Sequence, residues 1–128
     1  MCLERNIVKL MKTRGVRRLI ASSSLSVEDL GDKPNFIVGL IVGIIKTTIH
    51  AAYEDIIGAA EIVRSSGLDW TIARVAMLND NVKTGIVKAG CVGSGQVGLG
   101  ISRADFANFL LKQVEDLSYL RKAPSISN

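Results

Sequence analysis

Hydrophobic positions along the chain change their period several times, and each change marks an element. Leu3, Ile7, Leu10 and Met11 share one helical face, Lys9, Lys12 and Arg14 lie largely elsewhere, and Gly15 stands where a helix would end. "VRRLIASSS" is then apolar over Leu19–Ala21 and serine-only over Ser22–Ser24, which predicts a short buried strand running into a polar loop. The turn formers of "VEDLGDKPN", with Pro34 lacking a backbone donor, predict a surface loop. After the apolar run "FIVGLIVGII", Ile49, Ala52, Ile56, Ala59, Ala60 and Val63 recur in helical steps up to Gly67. "LDWTIARVAML", β-branched and aromatic around Trp70, Thr71, Ile72 and Val75, reads as a strand, and "TGIVKAGCVG" as a second. "ISRADFANFLLKQVEDL" opens with Ser102 three residues before Asp105, close to a capping box, and puts Phe106, Phe109, Leu110 and Val114 on one face. The predicted order is helix, strand, long helical segment, strand, strand, helix. Such alternation favours an α/β layer with parallel strands.

Composition narrows the picture. At 128 residues the chain has material for one core, so residues 1–128 are expected to form a single domain. A hydrophobic share of 48% against 22% charge excludes a disordered chain, and scarce aromatics leave the core to aliphatic residues. The formal charge of +4 comes from an early cluster, Lys9, Lys12, Arg14, Arg17 and Arg18, plus scattered cations without interleaved aromatics. A solvated basic face fits this better than a nucleic-acid surface, so no nucleic-acid partner is expected. Cys2 and Cys91 have no CxxC spacing and only His50 to join them, so reduced thiols rather than a metal site are expected. The longest apolar run has ten residues, Phe36 to Ile45, against about 20 for a spanning helix, and the N-terminus lacks the pattern of a signal peptide. A cytoplasmic protein without membrane contact is the expectation.

Gly93, Gly95 and Gly98 in "GSGQVG" match the GxGxxG spacing of dinucleotide-binding turns. A working fingerprint joins strand directly to helix, so that free amides at the helix N-terminus face the phosphates. The best helix start here is Ser102, four residues beyond Gly98. The unit also requires a second strand after the helix and an acidic residue about 20 positions on. That count reaches Glu115 or Asp116, inside the predicted last helix, with only twelve residues beyond. The segment therefore reads as a glycine turn between two short strands.

A different set of segments carries a family resemblance. "GVRRLIASSS", "AAEIVRSSGLDWTIARVAML", "KTG" and "ISRADFANFLLKQVEDLSYLRKAPSISN" occur in the order found in the C-terminal half of the atypical short-chain dehydrogenase/reductases. The chain is most similar to their NAD(P)H-binding, flavin-reductase and biliverdin-reductase-B-like (NmrA-like) type. "SGLDWTIAR" followed by "ISRADFA" is the specific combination, and the resemblance runs almost the whole length.

The resemblance implies the C-terminal half of a Rossmann-like parallel sheet flanked by helices, lacking the first four strands and the phosphate-binding loop. It implies NADP or NAD as cofactor, bound weakly or not at all by this chain alone, and hydride transfer to a flavin, quinone or tetrapyrrole-like acceptor. As a 128-residue chain it is expected to be catalytically incomplete; the rival expectation is a non-catalytic oligomeric module, or a fragment completed by another chain. Ser24 falls where the family places its active-site serine, with Ser22 and Ser23 before it. Its hydroxyl could bond a substrate carbonyl or the nicotinamide amide, or the triplet could satisfy backbone groups at a strand end. Arg74, Val75, Ala76 and Met77 occupy the stretch that passes the nicotinamide, with Val75 where the family commonly has proline.

Tyr53 is followed four residues later by Ile57, so the Tyr-xxx-Lys pair of orthodox members is absent and Tyr53 reads as an ordinary helix residue. Asp55 and Glu61 match the acidic positions of the relatives' helix and could cap or pair structurally, while His50 reads as a helix residue. Without the preceding strands, "RRLIA" becomes an unpaired edge. A homodimer or higher oligomer closing that edge, or a helix from "NFIVGLIVGII" covering it, is expected.

Overall fold

The computed structural model describes residues 2–128. Helix α1 (Cys2–Thr13) follows the predicted stripe and closes with a paired cap, Val16 N–H donating to Met11 O at 2.9 Å and Gly15 N–H to Lys12 O at 3.3 Å. The chain turns into β1 (Arg18–Ser24) and, after the loop 25–35, enters α2 (Phe36–Thr48), where Asn35 Oδ1 accepts the Val38 N–H at 3.0 Å. Helix α3 (His50–Arg64) leads to β2 (Asp69–Val75) and β3 (Met77–Asn79). Strands β4 (Lys88–Gly90) and β5 (Gly100–Ser102), helix α4 (Arg103–Lys112) and strand β6 (Ser125–Ser127) complete the chain.

The main sheet has the order β1-β2-β6-β4, and β3 pairs with β5 in a second, two-stranded sheet. Strands β1 and β2 run parallel in register from Arg18 opposite Asp69 to Ser24 opposite Val75, β6 joins β2 in parallel at Arg74–Ser125, and β4 closes the far edge antiparallel to β6. This is the mixed, mostly parallel α/β layer that the alternating pattern and the family resemblance imply. Val27, Ala60, Val63, Trp70, Ile72 and Ala123 form the core on the α3 side. Ala73, Ile101, Phe106, Phe109 and Ile126 form a second core on the α4 side. Strand alternation explains the division, since successive residues of β2 face opposite layers.

Several expectations need correction. The long helical segment is two helices, bent 113° apart at Ile49. Three residues of "TGIVKAGCVG" are strand, and helix α4 stops at Lys112, leaving Val114, Glu115 and Asp116 beyond its last turn. A strand does follow that helix: β6 is made of Ser125, Ile126 and Ser127, all buried. Its serines carry no hydrophobic period, which is why the pattern missed it. Strand β1 is the sheet edge, as expected, but α2 does not cover it: its main neighbour is α3 and it has no buried residue. No single helix among the described residues is long and apolar enough to cross a membrane.

Candidate functional site

Ligands of open α/β sheets lie outside the carboxyl ends of parallel strands, and here β1 and β2 end together at Ser24 and Val75. A groove of about 600 Å³ opens there, lined by Ser22, Ser23, Ser24, Asp55, Val75 and Leu78 among others. Ser22 is exposed, while Ser23 and Ser24 are half-buried. The Ser24 hydroxyl oxygen accepts the Ser26 N–H at 3.1 Å, leaving its own O–H to donate. Val75, lying in register with Ser24, adds an apolar wall. Sequence reasoning missed Leu78 and placed no ligand beside Asp55; both enter the groove only because β3 and α3 converge on the end of β1.

Arg74 lies apart from the groove. It is fully buried, and its guanidinium grips the loop after β1: one nitrogen donates to Asp32 Oδ1 at 2.9 Å, another to Asp32 Oδ2 and to Val27 O at 2.8 Å, and Nε to Ala123 O. Burial would raise the Asp32 pKa, but the Arg74 guanidinium and the Asp29 and Val92 amides bring it below the ordinary carboxylate value. Arg74 thus orients the loop rather than lining the groove. No sequence signal singles out Asp32 from its acidic neighbours. Ala76 is half-buried between β2 and β3, and the exposed Met77 starts β3, its N–H donating to Leu99 O at 3.0 Å.

The other residues of interest fall outside the groove. His50 is exposed at the start of α3, 3.9 Å from Glu54, and Tyr53 lies under Lys46 with Nζ 5.6 Å from its ring centre. Cys91 is a free, half-buried thiol.

"ISRADFA" owes its form to packing. Ser102 caps α4, its Oγ accepting the Asp105 N–H at 3.1 Å, while its O–H donates to Asp105 Oδ2 at 2.7 Å. The same carboxylate accepts Thr84 N–H and O–H, Gly85 N–H and Asn128 Nδ2–H. The Thr84 amide first, then the Ser102 hydroxyl, hold Asp105 well below the usual carboxylate range; burial opposes them, and Gly85 and Asn128 add to them. Asp105 is therefore a buried acceptor that clips "KTG" to α4.

"GSGQVG" lies between β4 and β5, the turn expected from its glycines. Gly93 and Gly95 have φ of +75° and +76°, and a Cβ on Gly93 would stand 2.5 Å from Lys33 O. One reason for setting the motif aside fails, because β6 follows α4; the other holds, because Ser102 rather than a motif glycine caps the helix. The N-termini of α2 and α4 are capped by their own Asn35 and Ser102. Among the described residues that line it, the serine groove contains the carboxylates Glu4 and Asp55 and no lysine or arginine. Its hydroxyls and apolar wall fit a nicotinamide ring and its amide.

The fold and the groove define a partial Rossmann-like unit. A family profile described as NAD(P)H-binding matches residues 3–117, and the chain belongs to that family. No curated protein matches it in sequence. Among solved structures it is similar to a short-chain dehydrogenase/reductase from Veillonella parvula in complex with NADP (TM-score 0.70, 21% identity, 98% of this chain and 57% of that one). It is also similar to the anaerobillin reductase ChuY from Escherichia coli O157:H7 (TM-score 0.69, 19% identity, 97% and 56%). A protein described as an NADH-flavin reductase from Streptococcus pneumoniae has TM-score 0.65, 17% identity and coverages of 98% and 64%. These likenesses establish the fold, and the chain spans 56–64% of the length of these three structures.

Proposed function

We propose that the chain is the nicotinamide- and acceptor-facing half of an NAD(P)H-dependent oxidoreductase, in which hydride passes from the reduced nicotinamide to a flavin, quinone or tetrapyrrole-like acceptor. The observation that carries this reading is the serine-lined groove at the joined ends of β1 and β2, in a chain of an NAD(P)H-binding family. In this reading the Ser24 O–H donates to the nicotinamide amide or to an acceptor carbonyl. Ser22 and Ser23 offer further hydroxyls, Val75 borders the ring on the β2 side, and Ala76 and Met77, outside the groove lining, lead the chain from Val75 to Leu78. Arg74 contributes by holding the loop 25–35 against β2. Most pyrophosphate affinity in such folds comes from a glycine loop and helix N-terminus, so this chain alone binds the cofactor weakly and is catalytically incomplete. The cytoplasm, where a thiol such as that of Cys91 stays reduced, is the compartment this implies.

The second reading, an assembly module, is favoured by the unpaired β1 edge and the exposed Leu3, Leu10 and Val16. Homo-oligomerisation through these surfaces, or completion by another chain, would cover them. Titrating the purified chain with NADPH and FMN while following NADPH oxidation and sedimentation separates the readings. Weak cofactor binding without turnover is expected from the chain alone. Saturable binding with turnover would overturn the claim of incompleteness, and a strictly monomeric chain would count against the assembly reading.

A further inference from the structure

The serine groove leaves a second large cavity unexplained. A space of about 710 Å³ lies between the loop 25–35 and the α2–α3 pair, within the range of small-molecule sites. Leu25, Val38, Val42 and Tyr53 give it largely apolar walls, and it shares no lining residue with the groove. Ser26 also lines it, is 4% exposed, and its Oγ has no hydrogen-bond partner among the described residues. Buried hydroxyls are normally paired, so this one, turned about its Cα–Cβ bond, is available to the polar atom of a ligand in the cavity.

The charges around the cavity say what kind of ligand fits. Asp32 is committed to Arg74 and the Val92 amide, and Asp29 accepts the Ala123 N–H at 3.0 Å and lies 3.9 Å from Arg64. That leaves Glu28 and Lys33 at the rim, whose charges cancel. An ion entering would lose hydration without an uncompensated counter-charge to meet it. We propose that this cavity is a second small-molecule site, taking an uncharged ring compound that exchanges a hydrogen bond with Ser26 Oγ. The proposal does not rest on the hydride-transfer reading.

Naphthol, uncharged at neutral pH, and naphthoate, a similar ring bearing a carboxylate, form a suitable probe pair for NMR titration of the isotopically labelled chain. Saturable shifts from naphthol at Leu25, Ser26, Gly39 and Tyr53 are expected, with naphthoate at least about tenfold weaker. Ser26→Ala should weaken naphthol about fivefold to tenfold, the value of one hydrogen bond. Gly39 lines the cavity and a Cβ there meets nothing within 4 Å, so Gly39→Phe should fill the space and abolish saturation while leaving a dispersed spectrum. If Gly39→Phe fails to fold, Ser26→Ala still decides the matter. Shifts centred on Ser22–Ser24 or on α1, equal affinity for both probes, no saturation, or unchanged affinity in either folded variant would overturn the proposal.

Discussion

Around Asp105, donors from Thr84, Gly85, Ser102 and Asn128 converge on one buried carboxylate, and around Arg74 a buried guanidinium meets Asp32 and two carbonyls. Along α1 and β1 the balance is reversed: Leu3 and Leu10 are 66% and 62% exposed, and β1 has a partner on one side only. The Asp105 carboxylate and the Arg74 guanidinium are satisfied from within the chain. The α1–β1 side exposes apolar area and a strand edge whose backbone groups are open to water or to a partner strand. One fold thus contains polar clusters closed by its own residues and a strand edge left open.

The largest way to break a closed polar cluster is Arg74→Met, which leaves Asp32 without its cation and should cost about 3–5 kcal/mol in urea unfolding. Adding Asp32→Leu should recover part of that loss, and no recovery would mean that the pair is not the source. Gly93→Ala forces a Cβ against Lys33 O at positive φ and should cost about 2–3 kcal/mol. Gly95→Ala, with the same φ sign and open space around it, should cost about 1 kcal/mol by the same assay, so equal losses would refute the close-approach argument.

Acid sharpens the comparison. Asp32 and Asp105 both have lowered pKa values in the folded chain, so their stabilisation is complete above the unfolded value of about 3.9 and fades as pH falls through the folded values. Unfolding midpoints should fall along that acid limb, and Asp105→Asn should flatten it. On the open face Leu10→Glu should change unfolding stability by less than about 0.5 kcal/mol. On the assembly reading it should nonetheless reduce association in sedimentation; unchanged association would remove α1 from the contact surface.

Much of this was legible from local pattern. Helix α1, β1, β2 and the Ser102 cap follow from periods and spacings that act within a few residues. The break at Ile49 was not, since Ile45, Ile49 and Ala52 keep helical steps across it and neither glycine nor proline stands there. Strand β6 was hidden because its burial comes from β2 and β4 on either side, and serines reveal no buried face. In the site, Ser22–Ser24 stand at the strand end read from the sequence, whereas Arg74 points to Asp32 across 42 residues, a pairing that only the folded loop creates.

The two cores also differ in colour. The chain's one tryptophan, Trp70, belongs to the α3-side core, while Tyr119 packs against the α4-side core with its ring centre 6.1 Å from that of Phe109. Each face of the sheet therefore carries its own intrinsic chromophore. In a Tyr53→Phe variant, which leaves Tyr119 as the one phenol, emission from Trp70 and absorbance of Tyr119 can tell which layer loosens first, with no label attached.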